Sequence, residues 1–331
     1  MDKRERVLTA LRGERPDRVP LGFWGHDRLR EHTAADLAEE TLRRARTYDW
    51  DFVKVQSRAT CFAECWGAEW QSPASATARP SQRRPAVTGA SDLDRFASAE
   101  PDYRPLSEQL DALRLIRSGL PDGRPVLMTV FSPLMVLAYC MPERTTSSED
   151  TLAMLDLDHA RAARVLEAIT VVVIRFARDC IAAGADGIFY ASNLAGRDTA
   201  TVEQLRRYQR PYDLPVLAAV AEAPCNMVHV CGERPRFDEF ADYPVASFSW
   251  AIGDGAPTLA EGRSRTGRAV VGGISTGARL RGMTPTEVGD EVRAAVTSTG
   301  GAGLLLAPGC SIAADTPPAN LLAAARAAAS P

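Results

Sequence analysis

The chain has 331 residues, of which 45% are hydrophobic and 24% are charged, and its formal net charge is −3 at neutral pH. This composition is typical of a globular protein with a large core, and the weak charge excludes a general attraction to nucleic acid or to an anionic membrane. No apolar stretch reaches the roughly 18 residues of a membrane span, and the first twenty or so residues lack a signal-peptide core. We therefore expect a cytoplasmic enzyme.

Short apolar runs alternate with helical stretches along most of the chain, which is the pattern of repeated strand–helix units around a parallel sheet. Most runs are apolar throughout, as expected for strands that are covered on both faces. Eight strands separated by helices favour a closed (β/α)8 barrel, also called a TIM barrel, over an open sheet. The predicted strands are Val19–Trp24, Phe52–Gln56, Val126–Phe131, Gly187–Ala191, Met227–Cys231, Ala246–Trp250, Ala269–Ile274 and Gly303–Ala307.

The clearest predicted helices are Leu157–Ala183, Val202–Ala221 and a helix that begins at Thr284-Pro285. One stretch, residues 71–104, interrupts the alternation and is rich in proline, serine, alanine and glycine. It is either part of a cap over the mouth of the barrel or a surface loop without a role. With this excursion included, we predict that residues 1–331 form a single barrel domain.

A possible metal site lies in "NMVHVCGERP", where His229 and Cys231 are two residues apart at the end of a predicted strand. Side chains at positions i and i+2 of a strand point to the same side, here at the carboxyl end where barrel enzymes keep their chemistry. Alone, this pair is a weak signal. The last predicted strand ends in Pro308-Gly309-Cys310, which brings a second cysteine to the same face of the barrel.

One histidine and two cysteines form a nitrogen and sulfur donor set that suits zinc, and three protein ligands leave one coordination position open. The two strands should be about 13 Å apart in an eight-stranded barrel. Cys310 must therefore turn inward, which Pro308 and Gly309 would permit. Five further residues near predicted strand ends are candidates for the wall of a substrate pocket: Trp24, His26, Tyr190, Ser192 and Trp250.

The seven cysteines are an odd and scattered set, so a disulfide framework is not expected in a chain of this length. Cys61 and Cys65 are four residues apart and would share one face of a helix, which is typical of core packing. Cys225, just before a predicted strand, is expected to be structural.

Several segments resemble the uroporphyrinogen decarboxylase superfamily in order and spacing, across essentially the whole chain. They are "RERVLTALRGERPDRVP", "YDWDFVKVQ", "VFSPLMVL", "HVCG", "VVGGIS" followed by "TPTEV", and "APGCSIAADTPPANL". The resemblance implies one (β/α)8 barrel with its site at the carboxyl face. True decarboxylases carry an Arg-Gln-Ala-Gly-Arg run after the first strand and an aspartate after the second. Here the corresponding segments read "GFWGHDRLREH" and "VQSRATCFAEC", so neither hallmark is present.

The other branch of the superfamily contains zinc-dependent corrinoid:thiol methyltransferases, of the type that methylate coenzyme M. Their signature is His-x-Cys with a further cysteine late in the chain, which His229, Cys231 and Cys310 match one by one. The resemblance implies Zn²⁺, a small thiol substrate held as a zinc thiolate, and a methyl group from methylcobalamin or another corrinoid on a partner protein. It also implies a homodimer. Many members have an aspartate at the end of strand six, where this chain has Ser249.

Three hypotheses remain open. The first is a zinc-dependent methyl- or alkyltransferase that activates a thiol. The second is a metal-independent decarboxylase of a carboxylated aromatic or tetrapyrrole substrate, which predicts a basic mouth formed by Arg28, Arg30 and Arg58. The third is a non-enzymatic scaffold or a protein that binds a corrinoid partner.

Overall fold

A computed structural model describes residues 1–142, 148–232 and 234–329. In these residues the first strand and the fourth to ninth strands form one parallel sheet in chain order, and the second and third strands form a separate antiparallel pair. The strands are β1 (Val53–Val55), β2 (Glu69–Gln71), β3 (Ser81–Arg84), β4 (Val126–Phe131), β5 (Gly187–Ser192), β6 (Met227–Val230), β7 (Ser247–Ser249), β8 (Ala269–Ile274) and β9 (Leu304–Pro308).

The parallel sheet curls into a TIM-like barrel, which confirms the predicted fold class. Two predicted strands have the observed bounds, and five others differ by one residue at one or both ends. These strands were predictable because each is a short, continuously apolar run that is buried on both faces. The barrel is closed between β9 and β1 by the segment around Leu21, which pairs with Leu306 as an isolated parallel bridge.

The predicted first strand, Val19–Trp24, needs correction because only Leu21 makes a bridge. Toward β9 the segment makes two backbone hydrogen bonds, from Gly22 N to Leu306 O and from Leu306 N to Pro20 O. Pro20 has no N–H, so it cannot donate a further hydrogen bond of this ladder. Toward β1 the Leu21 N–H donates to the carboxylate of Asp51 instead of to a strand carbonyl. Residues 20–22 therefore close the barrel without forming a regular strand, and we call this segment the seam.

The seam is anchored by Asp51, whose side chain is 0% exposed. Its carboxylate accepts hydrogen bonds from Arg6 Nη1 at 2.8 Å, from Arg18 Nη1 at 2.6 Å and from the Leu21 N–H at 2.9 Å. Arg6 belongs to the first helix, so one carboxylate joins that helix to the closing segment. Buried charges are stable when they are paired and hydrogen-bonded in this way.

The helices cover the outside of the sheet, and in the described residues none combines the length and the apolar character that crossing a bilayer requires. Their bounds are α1 Lys3–Leu11, α2 Ala34–Thr47, α3 Cys61–Glu64, α4 Leu93–Ser98, α5 Arg104–Ser118, α6 Pro133–Cys140, α7 Ser148–Asp156, α8 His159–Ala182, α9 Val202–Gln204, α10 Arg210–Ala218, α11 Leu259–Thr266, α12 Gly277–Gly282, α13 Pro285–Thr299 and α14 Pro318–Ala329. Cys61, Cys65 and Cys225 are all buried, as predicted.

The helix predicted at Val202–Ala221 is divided into α9, a π-helical turn at Leu205–Gln209 and α10. Pro211 at the start of α10 explains the division, because it has no N–H to donate to the carbonyl of Arg207 in the π-helical turn.

The excursion at residues 71–104 contains β3, a short 3-10 turn at Ala90–Asp92 and α4. It is packed onto the barrel rather than free of it. Gln82 donates a hydrogen bond to the carbonyl of Met141 at 2.9 Å, and the Arg28 N–H donates to the carbonyl of Ala76 at 3.0 Å.

Candidate metal centre and its cavity

Three predicted residues meet at the carboxyl end of the barrel. His229 lies in β6, Cys231 follows that strand directly, and Cys310 lies two residues beyond the end of β9. One ligand atom from each residue lies within 4.8 Å of the others. Zinc–sulfur and zinc–nitrogen bonds are about 2.0–2.3 Å long, so one ion between the three atoms needs only small side-chain movements.

Cys310 reaches this position because the chain turns inward after β9, as predicted. The role of Gly309 is different from the one expected, since its backbone is not in the left-handed region. A Cβ atom at this position would lie 2.7 Å from the Cα of Ala251, which is closer than real Cβ contacts come. Glycine is needed here for space, because β9 passes directly against the chain that leaves β7.

The imidazole of His229 is held with one nitrogen free. Its Nδ1 lies 3.2 Å from Ser249 Oγ on the neighbouring strand, and its ring stacks on Phe189 with the centroids 5.3 Å apart. Its Nε2 is buried and has no hydrogen-bond partner. A buried polar atom without a partner is costly, and a metal ion would satisfy it. The residues present therefore fit a metal ion of the soft, zinc-like class.

The two sulfur atoms interact with each other before any ion is considered. A hydrogen bond from Cys231, and to a smaller extent the nearby imidazole of His229, hold the pKa of Cys310 well below its ordinary value despite burial. As the donor of that bond, and because it is buried, the Cys231 thiol has a raised pKa. One thiolate is thus favoured in the cluster, and thiolate is the form that binds metals.

Ser249 takes the position where the resemblance led us to expect an aspartate. We expect Ser249→Ala to lower the affinity for zinc by about tenfold, because partners of a metal-bound histidine commonly contribute 10–100-fold. Ser249→Asp should raise the affinity above that of the unchanged protein, because a carboxylate makes the imidazole a stronger donor. Competition with a chromogenic chelator measures both changes. Equal affinities in all three proteins would contradict a role for this contact.

A cavity of about 500 Å³ opens onto the cluster, and Cys231 and Cys310 form part of its wall. Its other lining residues include His26, Arg28, Trp70, Arg79, Met135, Tyr139 and Asn193. Arg79 belongs to the excursion at residues 71–104, so that segment forms part of the wall. The volume suits a small-molecule substrate.

The predicted pocket wall needs correction at four of its five positions. Tyr190 donates to Asp213 on α10, Ser192 accepts from Gln209, and Trp250 donates to the carbonyl of Pro257. These three side chains face the helix layer because neighbouring residues of a strand point to opposite sides, and their neighbours Phe189 and Ser249 face inward. Trp24 is inside the barrel against Phe189, but it does not line the 500 Å³ cavity.

His26 does line the cavity, but both of its nitrogens are already engaged. Nδ1 pairs with Glu31 Oε2, and Nε2 lies 2.8 Å from the amide nitrogen of Gln56. Gln56 Oε1 accepts in turn from Lys54 Nζ. If Gln56 donates to His26, and His26 to Glu31, every donor in this chain points the same way. Burial lowers the pKa of His26, which agrees with a neutral ring.

The arginines that a decarboxylase was expected to use are mostly engaged elsewhere. Arg58 pairs with Glu64 and Glu108, and Arg30 pairs with Asp36 and Glu39. Of the three predicted arginines, only Arg28 lines the cavity, and its guanidinium contacts Glu31 at 3.2 Å.

Three residues of this region were not identified from the sequence: Lys54, Gln56 and Arg79. Lys54 carried a usable signal, since a lysine in the middle of an otherwise apolar strand is unusual. Arg79 lies in the excursion, where no periodicity indicates which residues face the barrel.

Comparisons with known proteins show the family and the fold of this chain. The family model described as uroporphyrinogen decarboxylase (URO-D) matches residues 2–330. The chain belongs to the uroporphyrinogen decarboxylase family. Among curated proteins, no relative of this family member was found.

Two solved structures show how the family fold recurs. A methyltransferase from Methanosarcina mazei is 20% identical, with 99% of this chain and 98% of that chain covered and a TM-score of 0.77. A B12-independent methionine synthase from Shewanella sp. W3-18-1, in complex with selenomethionine, is 14% identical, with coverages of 89% and 86% and a TM-score of 0.54. At these identities the likeness shows a shared fold.

Proposed function

We propose that this member of the uroporphyrinogen decarboxylase family is a zinc-dependent transferase that moves a methyl or other alkyl group to a thiol. The observation that carries the proposal is the convergence of His229, Cys231 and Cys310 beside an open cavity, with His229 Nε2 buried and unpartnered. A donor set of one imidazole and two thiolates suits zinc and leaves a coordination position for a substrate.

The charges of the cluster favour a reactive thiol. Two cysteine thiolates and a neutral histidine balance the charge of one Zn²⁺, so a third thiolate would give the site one negative charge. The ion would keep the substrate sulfur deprotonated at neutral pH, where a free thiol with a pKa near ~8.5 is mostly protonated. The net negative charge of such a site would keep electron density on the substrate sulfur, which would therefore remain nucleophilic.

The chain's own residues would hold the substrate and limit the access of water. Cys231 and Cys310 are on the cavity wall, so a substrate sulfur can reach the open position from the cavity. Phe189 and Ser249 fix the imidazole, and Tyr139 and Met135 give the cavity an apolar side. Arg28 and Arg79 give it a cationic side.

For the alkyl donor we propose methylcobalamin or another corrinoid carried by a partner protein, which would meet the thiol at the mouth of the barrel. One of the two similar structures is a methyltransferase and the other a B12-independent methionine synthase, so they support methyl transfer as the reaction class and leave the donor to the experiment.

Transfer from free methylcobalamin to a panel of small thiols tests the proposal. We expect loss of the methylcobalamin absorbance and formation of a thioether with at least one thiol. Removal of the metal by a chelator should abolish the reaction, and one equivalent of zinc should restore it. A protein that binds about one zinc and transfers no alkyl group to any thiol would contradict the proposed activity.

A second candidate, a metal-independent decarboxylase, has the support of the two cavity arginines, Arg28 and Arg79. A porphyrinogen with eight carboxylates needs several fixed guanidiniums, more than this cavity offers in the described residues. A smaller carboxylated aromatic compound remains compatible. The test is the rate at which the protein releases carbon dioxide from such a compound. Equal rates for the metal-free and the zinc-loaded protein would favour this candidate over the transferase.

A further inference from the structure

We propose that Lys54 takes up the proton that a thiol substrate gives up when its sulfur joins the metal centre. This inference rests on the proposed function and assigns a role within the same site.

Lys54 is buried inside the barrel, against the ring of Phe189. It is the middle residue of β1 and is 4% exposed. Its Nζ lies 4.6 Å from the centroid of the Phe189 ring, and that ring stacks on the imidazole of His229. The ring of Phe189 therefore contacts both the amine of Lys54 and the imidazole of His229.

The amine has no counter-ion at contact distance. In the described residues, no carboxylate lies within 4.0 Å of Lys54 Nζ, whereas every buried arginine there has one. Those pairs are Arg6 with Asp17 and Asp51, Arg44 with Glu40, Arg58 with Glu64 and Glu108, and Arg124 with Asp122. A buried ammonium without a paired anion is costly. An anionic group that binds nearby would therefore stabilise the ammonium form of Lys54.

The hydrogen bonds around Lys54 leave it able to accept a proton. Its partner is the amide oxygen of Gln56, an acceptor that one N–H of a neutral amine satisfies as well as an ammonium does. His26, which lines the cavity and is linked to Lys54 through Gln56, already has both nitrogens engaged by Glu31 and Gln56. Among these two groups, only the lysine retains a free lone pair when it is neutral.

The electrostatic environment supports this role. Burial lowers the pKa of Lys54 to about 7, while the negative charges of Cys310 and Glu31 pull it upward. Neither nearby carboxylate is a dedicated partner of the amine, because Glu31 also contacts Arg28 and Glu40 pairs with Arg43 and Arg44. A substrate thiolate would add one more negative charge near the amine and favour its ammonium form.

The step balances without any further reagent. The S–H bond of the thiol breaks, its electron pair stays on sulfur, and an N–H bond forms at Lys54 Nζ. After alkyl transfer the product is a neutral thioether, so the extra negative charge is gone and the ammonium returns its proton to solvent.

The chain contains only two lysines, Lys3 and Lys54, which makes a direct test possible. Protein labelled with [15N]lysine gives two side-chain nitrogen signals, and the variant Lys3→Arg assigns them. In the zinc-loaded protein near pH 8, we expect the Lys54 signal of a neutral amine. Saturation with 2-mercaptoethanol or homocysteine should raise its titration midpoint by about one pH unit or more and so shift the signal toward that of the ammonium form.

Thiol binding is followed separately by the sulfur-to-metal absorption of cobalt-substituted protein. If neither thiol binds the metal, the proposed function fails. If a thiol binds and the Lys54 midpoint stays where it was, or if Lys54 is already charged at every pH without thiol, only the role of Lys54 is overturned.

A variant adds an independent readout. We expect Lys54→Met to keep its metal but to bind thiol about tenfold more weakly at pH 7, with the midpoint of thiol binding about one pH unit higher. The control Lys3→Met should leave both values unchanged. Equal thiol binding by the two variants would overturn the inference. If Lys54→Met does not fold, the titration of the unchanged residue decides alone.

Discussion

Replacement of Cys310 by serine is expected to remove most of the bound zinc. A site of this kind gains roughly 10–16 kcal/mol from its ligands, so the loss of one sulfur should cost about 3 kcal/mol, or roughly a hundredfold in affinity. The effect should equal or exceed that of any other single change at the cavity. The same loss is expected for His229→Ala, which removes the unpartnered Nε2. Metal analysis after dialysis against a weak chelator measures both.

Cys65→Ser provides the matched control. Cys65 is also buried and is not part of the cluster, and a serine hydroxyl can keep its hydrogen bond to the carbonyl of Cys61. This variant should retain about one equivalent of zinc. Retention of zinc by Cys310→Ser, or absence of zinc from the unchanged protein, would remove the basis of the proposed function.

The second large effect is expected at the seam of the barrel. Asp51→Ala should lower the free energy of unfolding by about 3–5 kcal/mol, because it leaves the guanidiniums of Arg6 and Arg18 and the Leu21 N–H without their shared partner. Asp51 is far from solvent, so water cannot replace the lost contacts. Denaturation in urea, followed by far-ultraviolet circular dichroism, measures the change.

Asp290→Ala is a suitable control, because Asp290 is exposed and pairs with Arg293 three residues along α13. Exposed pairs of this kind contribute about 0.5 kcal/mol or less. If Asp51→Ala were no more destabilising than Asp290→Ala, Asp51 would not be the anchor of the seam.

The sequence predicts the barrel well where strands are short apolar runs, such as Val126–Phe131 and Ala269–Ile274, whose bounds are those of β4 and β8. It fails at Val19–Trp24, because that run is as apolar as the others and nothing local shows that the N–H of Leu21 would go to a side chain. That hydrogen bond depends on Asp51, thirty residues later.

The cluster was predictable because the spacing of His229 and Cys231 places them on one side of a strand. The pocket wall was not predictable in this way, because a strand that is apolar on both faces does not show which of its residues point inward. Trp250 illustrates the point: its neighbour Ser249 contacts His229, so Trp250 must face the helices. Tyr190 could not be assigned in this way, since its direction depends on the register between β5 and β6.

The seam also has a consequence for the cluster. β9 is joined to β8 by a full ladder, but on its other side the described residues give it a bridge at Leu21 alone, and it leads directly to Cys310. An ion bound by Cys310 together with His229 and Cys231 would link the end of β9 to the end of β6 across the barrel. Changes that stabilise the closed barrel would then also raise its affinity for the ion. In the metal-free protein we expect local unfolding to begin at the bridge between Leu21 and Leu306.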